Sequence, residues 1–378
     1  MLDAYAADAG TARYADRFPA LHDAGHYRRQ EHVTGVSSLS LSSIGLGTYL
    51  GEPSDEADLE YTAAIVAALR AGVNVLDTAI NYRHQRSERN IGDALRQVTA
   101  SGEFARDEVL ICTKAGYLSF DANIPPDPRA YFQQEYITPG ILDPAEIAGG
   151  MHCMAPSYLD NQMDRSRRNL GLSTIDVFYI HNPETQLSDI SHEVFHQRLR
   201  SAFTRLEQAV QEGKIRFYGL ATWGAFRMAP GARDHVNLQE VAEIAESVAG
   251  AGHHFRFVQL PFNLAMPEAF TLANQVVHGS KMSLFDAARE LRIAVVGSAT
   301  LYQGQLIHGL PAYLRKTLGT RTDAASAIQF SRSAPGITTS LIGMGHIEHV
   351  AENLKLSQQP PATLETWMSL FADRGKTG

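Results

Sequence analysis

Four residues of this chain could move a proton between them: Asp77, Tyr82, Lys114 and His181. Asp77 lies near the end of the apolar run NVLDTA (74–79), and Tyr82 follows five positions after it. Lys114 closes VLICTK (109–114), and His181 closes IDVFYIH (175–181). A free tyrosine, with a pKa of about 10, is a poor acid at neutral pH. A neighbouring ammonium favours the phenolate and lowers that pKa. Asp77 would pair with Lys114 and keep it charged, while His181 would direct a carbonyl oxygen toward the Tyr82 hydroxyl. Such a set protonates an alkoxide as it forms, which is general acid catalysis. No activated nucleophile accompanies it, so hydride delivery from a cofactor is the matching reaction. Each residue alone has a plainer reading. Such an Asp caps backbone, such a Lys reaches for water, and such a His is structural. Their joint position at strand ends favours the chemical reading.

The elements that must position them repeat one theme: a short apolar strand, a loop, an amphipathic helix. Strands are predicted over 44–49, 74–79, 109–115, 175–181, 215–222, 256–262, 293–299 and 337–343. Helices are predicted over 57–71, 87–99, 157–170, 193–212, 237–251, 282–291, 323–333 and 346–356, with a terminal helix over 362–373. Alternation at this spacing argues a parallel sheet, and eight units favour a closed (β/α)8 TIM barrel over an open sheet. In that architecture strand-end residues share one mouth. Residues 1–32 read as an N-terminal arm, with a small hairpin around Gly35 just beyond it. Residues 33–378 read as one barrel domain. Two connections are long. The excursion 117–156 leaves the third strand with Pro125, Pro126, Pro128, Pro139 and Pro144, and such a length marks a functional loop. Its aromatics Tyr117, Phe120, Tyr131, Phe132 and Tyr136 are candidates for the mouth. The second long connection is 300–322.

With 378 residues, 44% of them hydrophobic, the chain can bury a core of barrel size. A net charge of −8 and the lack of a Lys/Arg run argue against a nucleic-acid partner. No apolar run approaches the roughly 18 residues of a membrane span. Cys112 and Cys153 are too few for a disulfide framework. The N-terminus lacks the form of a signal peptide, which together predicts a cytoplasmic protein. Two motifs compete with the barrel reading. His192-Glu193-Val194-Phe195-His196 matches HExxH, but on an outer helix and without a third ligand at the extended spacing, so no metal is expected. GLGTYLG (45–51) contains GxG after a strand, but its third glycine is misplaced for a dinucleotide turn.

These stretches together resemble the aldo-keto reductase family over about residues 40 to 356. The matching segments are GLGT (45–48), NVLDTAINY (74–82), TKAG (113–116), IDVFYIHNP (175–183), EGKIRFYGL (212–220), VQLPFN (258–263), LIG (341–343) and EHVAEN (348–353). The resemblance implies that Asp77, Tyr82, Lys114 and His181 form a catalytic tetrad with Tyr82 as acid/base. It also implies a nicotinamide cofactor lying extended across the mouth, NADP(H) ahead of NAD(H). Gly47 and Thr48 would then lie near the nicotinamide, Asp77 near its ribose, Gln259 at the carboxamide, and Glu352 and Asn353 at the adenine. Leu301 and Gly343 join the cofactor set by the same resemblance. Three departures stand out. Ala221-Thr222 replace the usual Ser-Asn, leaving Thr222 one hydrogen bond to give. Ser298 stands where an aromatic often stacks on the nicotinamide. The last cofactor segment reads GMGHIEH, with His346 and His349 in place of Lys or Arg for the 2′-phosphate.

The expected function is therefore NAD(P)(H)-dependent reduction of an aldehyde or ketone, or oxidation of the corresponding alcohol. The substrate is a small molecule, with Tyr49, Tyr117 and Trp223 as its walls. The alternative is a regulatory or redox-sensing barrel subunit that binds cofactor and turns over little.

Overall fold

Each of the eight predicted helices forms on its amphipathic stripe, and several carry a local start signal. Ser54 caps the helix Asp55–Arg70 by accepting from Ala57 N–H, with three carboxylates in the first turn and Arg70 in the last. Ser191 and Thr322 cap His192–Gln211 and Asp323–Arg332 in the same way. Pro156 opens the helix Pro156–Leu170, and Gly171, at φ 67°, closes it. The structure is a computed structural model and describes residues 1–29, 32, 33, 35, 36 and 38–372.

Eight parallel strands close into a barrel. They are β1 (Ile44–Gly47), β2 (Val75–Asp77), β3 (Leu110–Ala115), β4 (Ile175–His181), β5 (Ile215–Ala221), β6 (Phe255–Pro261), β7 (Ala294–Ser298) and β8 (Ile337–Gly343). Their outer helices are α1 (Asp55–Arg70), α2 (Arg86–Ala100), α3 (Pro156–Leu170), α4 (His192–Gln211), α5 (Leu238–Ala249), α6 (Leu284–Glu290), α7 (Asp323–Arg332) and α8 (Ile347–Asn353). The register sets the functional ends side by side. Gly47 pairs with Asp77, His181 with Ala221, Ala221 with Gln259, and Gly343 with Gly47.

Residues 1–29, read as an arm, have regular structure of their own. They carry helices Asp8–Asp16 and Pro19–Asp23, and Tyr27–Arg28 pairs antiparallel with Leu41–Ser42. This pairing replaces the small hairpin read around Gly35; Thr34 and Ser37 lie outside the described residues. Ala6, Val33, Val36, Leu39 and Leu41 cluster with barrel residues Val75, Leu110, Val177 and Phe257. Apolar burial of that kind lays the segment across the floor of the barrel. Asp176 pins the arm there, accepting Ala6 N–H at 2.6 Å on one oxygen and Ile111 N–H and Arg106 on the other.

The excursion after β3 forms a small lobe with its own apolar centre of Tyr136, Leu142, Cys153, Ala155 and Tyr158. Phe120, Tyr131, Phe132 and Tyr136 stack on one another at centroid distances of 4.9–6.2 Å. They are therefore a lobe core and not a substrate surface. Tyr117 and Met151 are the residues of the excursion that reach the mouth.

Candidate active site

The end of β2 carries the densest chemistry. Asp77 and Lys114 are buried, and the Lys114 ammonium lies 2.5 Å from Asp77 Oδ2. Its other two donors face the Thr78 carbonyl at 2.7 Å and the Tyr82 hydroxyl at 3.4 Å. Gln259 Nε2 donates to Asp77 Oδ1 at 2.7 Å from the far side of the barrel. Both Asp77 oxygens are thus engaged. Burial pulls the Lys114 ammonium down, but Asp77 and Tyr82 outweigh it and carry its pKa above the ordinary value. Burial also raises Tyr82 above the usual phenol value, and Lys114 offsets only part of that rise. The expectation of a lowered Tyr82 pKa is corrected here: in this site desolvation exceeds the ammonium's pull.

Tyr82 is presented by an unusual turn. Arg83, His84 and Gln85 all take left-handed backbone, with φ of 47°, 56° and 72°. Non-glycine residues there cost on the order of 1–3 kcal/mol each and persist only when surroundings hold them. Arg83 is held on three sides, by the Glu52 carbonyl, Asn90 and Asp58. Gln85 bonds the Phe120 carbonyl and Asn169, so α1, α3 and the excursion all brace the turn.

His181 faces Tyr82 with ring centroids 5.7 Å apart. Burial holds its imidazole well below its ordinary pKa, and Lys114 adds to this, so the ring is neutral. Its Nδ1 lies 3.2 Å from Asn81 Oδ1. Tyr49 and Tyr117 pack edge-on against Tyr82 and His181 at 5.0 and 5.2 Å. Asn182 ties Tyr117 down by donating to its hydroxyl at 3.0 Å.

A cleft of about 1400 Å³ runs from these residues along the barrel mouth. Gly47, Thr48, Asp77, Thr222, Gln259, Ser298, Leu301, Gly343, His346, His349, Glu352 and Asn353 all line it, as do Tyr49, Tyr82, Tyr117, His181 and Trp223. Lys114 lies beneath the lining, fully buried. The Thr48 hydroxyl points to the Asp77 carbonyl at 3.2 Å, and the Thr222 hydroxyl lies 3.5 Å from the Gln259 carbonyl. His346 sits 3.3 Å from Glu60 and perpendicular to His349.

Three features of the site escaped the sequence reading. Arg315, from the connection after β7, lines the cleft and pairs with Asp323. Its only signal was a cation in a long loop. Glu60 is a regular helix position and gave none. Glu184 sits buried below Trp223 and accepts the N–H groups of Trp223 and Gly224 at 2.6 and 2.9 Å. Burial pushes its pKa up to about 7, and Oε2 has no partner. Glu184 therefore sets where the Trp223 wall stands. The HExxH motif opens α4 on the outer surface, with His192 facing the Arg233 carbonyl and His196 facing Glu240. Among the described residues no three His, Cys, Asp or Glu are placed to hold a metal ion, and no helix is long and apolar enough to cross a membrane.

The chain belongs to the aldo/keto reductase family, whose sequence model matches residues 43–249. It is 27% identical over 201 residues to a D-threo-aldose 1-dehydrogenase of Pseudomonas, an alignment covering 50% of each chain. It is 24% identical over 288 residues to an L-glyceraldehyde 3-phosphate reductase of Escherichia coli, covering 75% of this chain and 65% of the other. Among solved structures, an aldo/keto reductase of Klebsiella pneumoniae in complex with NADP and acetate superposes with a TM-score of 0.60. That pair shares 19% identity over 89% of this chain and 92% of that one.

The ion pair generates a prediction. Lys114→Met strands a buried carboxylate and is expected to lower fold stability at neutral pH by about 3–5 kcal/mol. Without Lys114, only the Gln259 hydrogen bond opposes burial, which holds the folded pKa of Asp77 above the unfolded one. The deficit should then grow as pH rises above the ordinary carboxylate range. It should fade below that range, where Asp77 is protonated in both states. Urea unfolding of both proteins from about pH 4 to 8 reads this. A deficit equal at every pH would mean that Lys114 serves packing alone.

Proposed function

We propose that this chain is an NADP(H)-dependent oxidoreductase that reduces an aldehyde or ketone, or oxidises the matching alcohol, with Tyr82 as acid/base. The observation that carries the proposal is the Lys114 ammonium held between Asp77 and the Tyr82 hydroxyl at the end of a long cleft. The cleft suits an extended dinucleotide: it is large enough, and Thr300, which lines it, has a buried hydroxyl without a partner. Gln259 spends its NH2 on Asp77, which leaves Oε1 to accept from a carboxamide. A bound nicotinamide supplies the hydride. NADP ahead of NAD follows the Klebsiella neighbour, solved with NADP.

In reduction, negative charge develops on the substrate oxygen, and the Tyr82 hydroxyl gives it a proton. Lys114 stabilises the phenolate left behind. Asp77 keeps Lys114 in place, while its own charge works against the Tyr82 phenolate. His181 orients the oxygen through Nε2–H. For a neutral imidazole to donate from Nε2, its Nδ1 must accept, so Asn81 must turn its NH2 toward that nitrogen. Because Tyr82 stays protonated through neutral pH, reduction is favoured there, and alcohol oxidation gains as pH rises.

The substrate end is defined by Tyr49, Tyr117, Met151 and Trp223, with Asn81 and Asn182 between them. None of these side chains carries a charge; the same cleft is also lined by Glu52, Glu56, Glu60, Arg315 and Asp323. The substrate is then an uncharged carbonyl compound with an apolar face and hydroxyls for the amides. A phosphorylated aldehyde would bring a charge to this end with no cation to meet it.

A second reading draws on one relative. The chain is 22% identical over 335 residues, covering 85% of it and 86% of the other, to a protein of Schizosaccharomyces pombe named as a voltage-gated potassium channel β subunit. A regulatory barrel would bind NADPH and oxidise almost none.

NADPH mixed with paired aldehydes, glyceraldehyde with and without a 3-phosphate among them, tests the proposal. Turnover of the uncharged member supports it, and bound but unoxidised NADPH with every aldehyde favours the regulatory reading. The His346–Glu60 pair predicts a second result. Glu60→Gln releases His346 from its carboxylate, so NADPH should bind several-fold tighter while NADH changes little. Fluorescence titration decides it, and equal changes for both cofactors would separate His346 from the 2′-phosphate.

A further inference from the structure

We infer that His152, on the returning limb of the excursion after β3, is a positioning residue that fixes His181 through the His181 backbone carbonyl. The inference rests on the proposed carbonyl chemistry at Tyr82 and His181. It makes the excursion a working part of the site and not only a cover over it.

His152 is fully buried, and its Nε2 lies 2.7 Å from the His181 carbonyl oxygen. The direction of that bond can be worked out from the outside inward. Arg198, on α4, donates from Nη1 to Gln186 Oε1, which fixes the Gln186 amide with its NH2 toward His152. That NH2 donates to the His152 carbonyl at 3.0 Å and lies 2.9 Å from His152 Nδ1. His152 Nδ1 must then accept, so the proton of the neutral ring sits on Nε2 and is given to the His181 carbonyl. Burial pushes the His152 pKa down to about 4, which keeps the ring in this neutral form at assay pH. Arg198 also binds the carbonyls of Ala145 and Glu146, so the same guanidinium anchors the excursion itself.

His181 ends β4 in register with Ala221, whose carbonyl accepts the Asn182 N–H. Asn182, directly after it, takes left-handed backbone at φ 45°. Gly116, at the root of the excursion, touches the bond directly. A Cβ there would fall 2.6 Å from His152 Nε2 and 2.7 Å from the His181 oxygen. Only glycine lets the two groups meet. The Tyr117 ring packs at right angles to both histidines, 5.4 Å from His152 and 5.2 Å from His181. A buried neutral histidine that bonds backbone is most often structural. Here its acceptor belongs to the residue that must place a carbonyl within hydrogen-bond range of Tyr82. A displacement of about 1 Å at such a site can cost on the order of a hundredfold in rate.

The test uses the whole chain and three variants. His152→Phe keeps the ring and removes the donor. His152→Gln carries an NH2 that reaches about as far as Nε2, and His152→Asn carries one too short to reach. The readouts are single-turnover NADPH oxidation with an aldehyde that the wild type reduces, NADPH affinity, and the side-chain ¹⁵N resonances of His181, assigned with His181→Gln. Expected is a fall of about tenfold to a hundredfold in the turnover step for Phe and Asn. NADPH affinity should hold within about twofold, the His181 resonances should move, and Gln should recover most of the loss. If His152→Phe does not fold, the Gln and Asn pair decides alone. Equal rates for Gln and Asn, or a fall in rate with unmoved His181 resonances, would overturn the inference. If the wild type reduces no aldehyde, the carbonyl-reductase reading fails. The positioning bond is then judged separately: His181 resonances that move in Phe and Asn but not in Gln uphold it, and unmoved ones overturn it.

Discussion

The site depends on one buried ion pair, Lys114 with Asp77. Taking two such charges out of water costs several kcal/mol each, and attraction alone repays this only with good geometry and further hydrogen bonds. Here all three ammonium protons have acceptors, on Asp77, Thr78 and Tyr82, and both Asp77 oxygens have donors. Those partners come from β2, β3, β6 and the turn after β2. The pair is therefore satisfied only when the sheet has closed and set β6 across the mouth from β2. The barrel exists as the register that makes this pair affordable, and the pair in turn faces the Tyr82 hydroxyl.

Constraint spreads outward from there. Tyr82 can stand beside Lys114 only because three residues after it accept left-handed backbone, and that strain is held by Arg83 and by the excursion. His181 is gripped at its side chain by Asn81 and at its carbonyl by His152. Trp223 stands on Glu184. The geometry of the mouth thus rests on a shell of side chains contributed by α1, α2, α3, α4 and the excursion. The cleft is also electrically uneven. Its lining mixes uncharged aromatics and amides with Glu52, Glu56, Glu60, Arg315 and Asp323.

Much of this was legible in the sequence because it is local. The eight strands followed from short apolar runs, and each lies within two residues of its predicted ends. Asp77, Tyr82, Lys114 and His181 were legible because strand ends in such a barrel converge whatever lies between them. What the sequence did not show depends on distant pairings. Nothing near Glu60 announces His346, which is 286 positions away, and nothing near His152 announces the carbonyl of His181. The left-handed turn at Arg83 has no glycine to signal it. The aromatics of the excursion were read as a mouth surface because aromatic content does not say which way a ring turns; most of them turned toward each other. The arm gave no periodicity because its helices are short and are ordered by the barrel floor they cover.

The central claim is that Tyr82 is the proton donor and that Lys114 and Asp77 serve it. The most direct measurement is single-turnover NADPH oxidation by Tyr82→Phe, alongside a titration of NADPH binding to the same protein. Phenylalanine keeps the ring that packs against Tyr49 and His181 and removes only the hydroxyl. The account predicts a fall in rate of about 10²–10⁴ with NADPH affinity within a few-fold of wild type. A fall of less than about tenfold would contradict it and move the acid role elsewhere in the site.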